Sequence, residues 1–361
     1  MFKIIGMTKL IWKLFKIVLT LLLAFLMYVV IGGVVPFLHH PDVSQTKKEA
    51  VESTQFYSDS VGPDRATIIE DNEEALKMRL RVIKDAQKTL ILSTFDFRSD
   101  DAGKDILAAL LNAADRGVKV EIFADGFNSI IQMENNDYFY ALSSNKNIKI
   151  IIYNQVNILI PWNGLGRMHD KYVIADDSLY ILGGRNTFGY FLGDYAGHKN
   201  YDRDVLVYNT GSKASSIYQI KDYYKKITSQ KCCSVFHCNE SLGEKNSVKK
   251  AEQELKKRYE SLENKYDKFL AENYDYKANT YETNKINLLS NPTSLYTKQP
   301  TVYYGLMYLA KNAKKEVKIH TPYIICNDYM YNELKNIKVP TTIMTNSAEN
   351  NGNIFGAVDY L

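Results

Sequence analysis

The sequence predicts an α/β protein carried behind one membrane-spanning helix. Hydrophobic patterns of helical and strand type alternate from Glu73 to Tyr153, which marks a layered α/β domain. Ahead of them, 22 residues from Ile17 to Leu38 carry no charge. A third observation is a weaker echo of the alternating pattern between Ala313 and Thr345. With 361 residues, 45% of them apolar and 24% charged, the chain has ample material for a large core, and wholesale disorder is excluded.

The elements follow in chain order. At about 1.5 Å per residue, a helix over the uncharged stretch reaches roughly 33 Å, matching a hydrocarbon core of about 30 Å. A cleaved signal peptide would have a shorter apolar region followed by small residues, whereas Val-Pro-Phe-Leu-His-His follows here. Lys3, Lys9, Lys13 and Lys16 precede the span and only Lys47 and Lys48 follow it closely, which predicts a cytoplasmic amino terminus and an extracytoplasmic catalytic part. Residues 1–16 are then a basic tail, 17–38 the span and 39–65 a polar tether. Glu73–Gln87 has helical spacing, and Thr89–Phe95 is a strand-like run. Asp105–Arg116 is a second helix closed by Gly117, and Val118–Ala124 and Asn147–Tyr153 are further strands.

Residues 231–290 break the rhythm and form a helical insertion. Leu255, Tyr259, Leu262, Tyr266 and Phe269 make one apolar stripe, expected to pack on its own domain or on a partner helix. From 291 a second half begins. Ala86–Phe95 resembles Ala313–Pro322, each a helix end entering a strand, and Thr341–Thr345 supplies the next strand.

Net charge is +4, and the four amino-terminal lysines account for all of it. The remainder is balanced, so a globally basic surface that coats nucleic acid is excluded. Four cysteines are too few for a disulfide scaffold.

The chemistry lies between Arg167 and Asn186. In a strand, His169, Lys171 and Val173 share one face. An imidazole beside a fixed ammonium suits reaction at phosphorus, with Lys171 neutralising non-bridging oxygens while His169 attacks or moves a proton. Beyond the Asp176-Asp177-Ser178 turn, Gly183 and Gly184 allow close backbone approach, and Asn186 can donate to phosphate.

His169, Lys171 and Asp176, followed by Gly183, Gly184 and Asn186, resemble the signature of the phospholipase D superfamily. The segments Ala108–Asp125 and Asp202–Val207, with the stretches around Thr321 and Thr345, are similar to its cardiolipin-synthase-like branch. The resemblance covers roughly residues 66–361 apart from the insertion. It implies a layered α/β/α sandwich with a central mixed sheet, and a first half spanning 66–230. It also implies a metal-free and cofactor-free mechanism in which one histidine takes the phosphoryl group and a second protonates the leaving alcohol. By the same resemblance Lys171, Gly184 and Asn186 bind the phosphate, Asp176 holds the hairpin, and Asp204 orients the His169 ring. Arg185, Asp170 and Asp177 are expected at solvated turns or edges.

The branch carries two such motifs, and this sequence has one. None of His198, His237 and His320 is followed by x-Lys-x4-Asp. A second motif spaced from Asn346 as His169 is from Asp125 would fall beyond Leu361, so the second half is expected to be incomplete and the chain truncated or partial. The expected activity is that of a membrane-anchored phosphatidyltransferase or phosphodiesterase acting on phospholipid, with a lipid alcohol, a small alcohol or water as acceptor. The alternatives are a homodimeric single-motif nuclease, disfavoured by the balanced charge, and an inactive remnant that binds lipid or a partner.

Overall fold

In the computed structural model, residues 2–237, 240–270 and 274–347 are described. They divide into two compact units, one of the amino-terminal helix with Phe56–Leu288, the other of His39–Gln55 with the residues from Leu289 on.

The first unit is built on a mixed sheet whose strands are β1 (Asp64–Ile69), β2 (Thr89–Thr94), β3 (Lys119–Asp125), β4 (Ile148–Tyr153), β5 (Tyr172–Ala175), β6 (Leu179–Gly183), β7 (Asp204–Asn209), β8 (Cys233–Val235) and β9 (Tyr281–Glu282). Their order is β8-β4-β3-β2-β5-β6-β7-β1-β9. β2, β3 and β4 run parallel, joined by helical crossovers. The β5–β6 hairpin is antiparallel to β2 on one side and to β7 on the other. This is why His169, just ahead of β5, and Asn186, just past β6, arrive at the carboxyl end of β2.

The crossover helices start where side chains satisfy their free N–H groups. The Asp71 carboxylate accepts from Glu73 and Glu74 N at 2.8 and 3.0 Å to open Asn72–Asp85. Asp100 accepts from Gly103 N at 2.9 Å to open Asp101–Asp115. That second helix begins a turn before the expected Asp105, because its first turn is polar and lacks the apolar period. Gly117 closes it with a φ of +94°, a left-handed value favourable for glycine. Leu76, Leu80, Ile106, Leu107 and Leu110 of these helices bury against Leu90, Leu92, Val120, Ile122 and Ile150 of the sheet. Each such side chain contributes about 1.5–3 kcal/mol by leaving water. On the opposite face Phe123 and Tyr172 meet Tyr224 of the helix Ile217–Thr228 edge-on, at 6.0 and 6.5 Å. The result is the α/β/α layering.

The striped helix runs Asn246–Lys265 and packs on this same unit, burying Leu255, Tyr259 and Leu262. Arg258 Nε donates to the buried Asp105 at 2.6 Å. The amino-terminal helix is Phe2–Val34, and Lys9–Phe37 is long and apolar enough to cross a membrane, with none of it buried.

In the second unit, β10 (Val317–His320) pairs in parallel with β11 (Thr341–Met344). Helices Thr301–Lys311 and Asp328–Lys335 precede the two strands in turn. This repeats the helix–strand–helix–strand order of Asn72–Asp125. The polar stretch read as a tether supplies Gln45–Glu52, a helix of this unit with Val51 buried.

Candidate functional site

The loop leading into β5 is set from below by Asp125, at the end of β3. Its fully buried carboxylate accepts from Phe127 N at 2.9 Å, Met168 N at 2.9 Å and Arg167 Nη1 at 3.2 Å. Burial pushes this carboxyl above its usual range, and Arg167 opposes the shift. From the other end, Asp176 at the hairpin turn has a left-handed φ of +53°, which aspartate tolerates. Its carboxylate accepts from the backbone N–H groups of Gln87, Lys88 and Thr89, each at 2.8 Å. The motif hairpin is thereby locked to the start of β2.

His169 and Lys171 precede the strand rather than lying in it, but their side chains are close neighbours. Lys171 is 5% exposed, and its Nζ donates to the His169 carbonyl at 2.6 Å. Phe95 lies between them, 4.8 Å from the imidazole and with its ring 5.7 Å from Lys171 Nζ. His169 is open to solvent, and neither ring nitrogen has a hydrogen-bond partner among the described residues. Protein crowding around the ring, together with the Lys171 ammonium, pushes the imidazole down to about 4. Burial lowers Lys171 to about 8, against the raising influence of Asp170, Asp202 and Asp96. At neutral pH the pair is therefore a neutral imidazole beside an ammonium.

Asn186 closes the site. Its Oδ1 accepts from Asp96 N at 3.2 Å, and its amide nitrogen has no partner among the described residues. Asp96 Oδ2 accepts from Arg98 Nη2 at 2.6 Å, while its Oδ1 is buried without a hydrogen-bond partner. A Cβ at Gly184 would strike the Asp202 carboxylate, and one at Gly183 would strike that of Asp204. The glycine pair is thus required by close packing of β6 on the start of β7.

Three expectations need correction. Asp204 does not meet His169. Its Oδ2 accepts from Arg79 at 2.9 Å and Arg185 at 3.1 Å, all three side chains being buried. Arg185, expected in solvent, is 1% exposed and also donates to Asn72 Oδ1 and to the Ile69 and Glu70 carbonyls. Asp170, also expected in solvent, accepts from Tyr223 at 2.6 Å. Asp177 fits its expected place, its side chain 48% exposed and paired with Lys221. The structure thus brings His169, Lys171, Gly184 and Asn186 together, and sets Asp176 and Asp204 aside as supports. Phe95, Asp96 and Asp202 are additional neighbours of the pair. Asp202 lies in the acidic segment Asp202–Val207, two residues before Asp204. Among the described residues no group of three or more His, Cys, Asp or Glu is placed to hold a metal ion.

A family model described as cardiolipin synthase, phospholipase D-like domain, matches residues 80–227. An uncharacterized Helicobacter pylori protein is 28% identical over 310 residues, 78% of this chain and 59% of its own length. Cardiolipin synthase B of Salmonella typhi is 32% identical over 142 residues, 39% of this chain and 34% of that protein. The chain thus spans less than two thirds of the length of these curated relatives. The crystal structure of phosphatidylserine synthase from Haemophilus influenzae Rd KW20 shares the fold, with a TM-score of 0.54 at 12% identity, over 87% of this chain and 71% of that one.

Proposed function

Because residues 80–227 make this chain a member of the phospholipase D superfamily, we propose that it is a membrane-anchored phosphodiesterase or phosphatidyltransferase of phospholipids, most like a cardiolipin synthase. The observation that carries the reading is the exposed, neutral His169, its ring nitrogens without a hydrogen-bond partner among the described residues, beside the buried Lys171 ammonium. A His169 nitrogen attacks phosphorus, the N–P bond forms, and the P–O bond to the departing alcohol breaks. Lys171 and the Asn186 amide hold the non-bridging oxygens as charge develops on them. Water or an acceptor alcohol then attacks the phosphohistidine, the N–P bond breaks as the new P–O bond forms, and the proton of the attacking hydroxyl passes to the group that had protonated the first leaving alcohol.

One ring cannot stand on both sides of an in-line displacement. The proton for the leaving alcohol therefore comes from a second imidazole, on a second copy of this chain or on another segment. The apolar span Lys9–Phe37 supports membrane anchoring, with the amino terminus in the cytoplasm and the site beside the opposite leaflet. Asp176 acts as a hairpin clamp, and Asp204 as part of a buried ion cluster.

The test is to trap the intermediate. Quenching the full chain with phospholipid labelled in its phosphate should leave an acid-labile, base-stable adduct on His169, absent from His169→Ala. Lys171→Ala should lower turnover by about 10²–10³-fold, the loss of one donor to developing charge. Turnover should survive chelation. Full turnover by His169→Ala, or loss with EDTA restored by a divalent metal, would contradict the proposal.

A further inference from the structure

Two loops at the carboxyl ends of β3 and β4 contain no charged residue, Gly126–Met133 and Asn154–Gly166. Both are apolar outward. Phe127, Ile130, Ile131, Ile158, Leu159 and Leu165 are each 45–65% exposed. Scattered apolar residues on a surface are ordinary, but a contiguous group without charge marks a contact.

The loops touch each other. A Cβ at Gly126 would strike the Asn154 carbonyl, so the first loop lies directly on the second. Asn154, at a φ of +49°, ties the second loop together by donating from Nδ2 to the Asn163 and Gly166 carbonyls, both at 2.8 Å. Arg167 donates to the Asn154 carbonyl at 2.7 Å and to Asp125 at 3.2 Å. His169 follows two residues later, so the loop pair and the imidazole share one rigid frame.

The same frame holds the apolar helix. Tyr28 donates its hydroxyl to the Leu159 carbonyl at 2.8 Å and meets the Trp162 ring edge-on at 6.5 Å. A Cβ at Gly32 would come 2.6 Å from Pro161 Cγ. The outgoing end of the helix is thus seated on the second loop. Tyrosine and tryptophan together at such a point are the composition of a membrane–water boundary.

We propose that the paired loops are a second membrane contact, resting in the leaflet that the helix crosses at its outgoing end and holding His169 level with the lipid phosphates. The occupant is lipid because the apolar surface continues into the apolar helix, and because both loops lack the charges that rim a protein interface. Side chains of this kind enter about 5–10 Å below the headgroups. The contact holds the site at a fixed height, where a free tether would let it swing away. It rests on the membrane-anchored reading of the chain, and its test does not depend on turnover.

The chain has two tryptophans, Trp12 and Trp162. Trp12→Phe, Trp162→Phe and Phe127→Trp together leave one reporter, on the first of the two loops. The full chain is reconstituted in phosphatidylglycerol vesicles containing lipid spin-labelled at a shallow or a deep acyl position. The expected result is blue-shifted emission, quenched at least twofold more by the shallow label. Adding Ile131→Asp and Leu159→Asp should abolish that quenching, while the protein stays with the vesicles at alkaline pH. Emission at the aqueous wavelength, unquenched by either label, would overturn the proposal. So would blue-shifted emission that neither lipid quenches, since the patch would then be covered by protein. Quenching without turnover would retain the membrane contact and count against the catalytic reading alone.

Discussion

Replacing Asp204 by asparagine separates two roles that the residue could have. The substitution keeps the shape and removes the one carboxylate that, among the described residues, bonds Arg79 and Arg185. At an effective dielectric of about 20 and separations of about 4 Å, each guanidinium loses roughly 4 kcal/mol of attraction. Part of the roughly 8 kcal/mol total is offset, because the variant no longer has a carboxylate to strip of water. Removing one partner from a buried ion cluster costs about 3–5 kcal/mol net. In a unit of this size each kcal/mol moves the melting temperature by about 2–4 °C, so the variant should melt about 6–20 °C lower. Near-UV circular dichroism of the full chain in detergent measures it. The pH dependence of turnover by the folded fraction should not move, since Asp204 does not touch His169. A melting temperature within about 1 °C of the parent, together with a displaced acid limb of the pH profile, would refute this reasoning. It would return Asp204 to the imidazole.

The pH profile is itself predicted. His169 reacts as the neutral ring and Lys171 as the ammonium, so kcat/KM should rise as pH passes about 4 and fall as it passes about 8. Lys171→Arg should remove the ammonium's part of the alkaline limb and leave the fall set by the proton-donating second imidazole, and an acid limb near 6.5 would contradict the depressed imidazole. For Asp176→Ala, three backbone N–H groups lose a charged acceptor. Stability should fall by about 2–3 kcal/mol, the amides recovering part of the loss by reaching water. Asp176→Asn should lose less, and turnover by the folded fraction should stay within about threefold of the parent.

The local parts of the site were legible because their causes are local. The spacing of His169 and Lys171 brings two side chains to one place whatever surrounds them, and an aspartate at a two-strand turn has backbone N–H groups within reach. The Asp204 cluster depends on Arg79, in a helix 125 residues away in sequence, and no local pattern records that distance. Arg185 was misread for the same reason. A cation after two glycines looks solvated until the backbone carbonyls of Ile69 and Glu70 are seen around it. The apolar loops did leave a signal in Ile158-Leu159-Ile160-Pro161-Trp162, but beside the much longer amino-terminal span it carried no weight. Polarity alone makes residues 39–65 look like a tether, although Val51, alone on its helix, is buried.

The register of β1 has a consequence for biosynthesis. Asp64–Ile69 pairs with Asp204–Asn209, and on its other edge Arg65 and Ala66 pair with Glu282 and Tyr281. At ribosomal speeds of about 5–20 residues per second, the first partner emerges about 7–30 s after β1 itself. During that interval both edges of the emerged strand lie open, with the long apolar helix Phe2–Val34 already made ahead of it. Any chaperone that attends this chain should therefore engage it early, at β1, and release it once the residues of β7 have appeared.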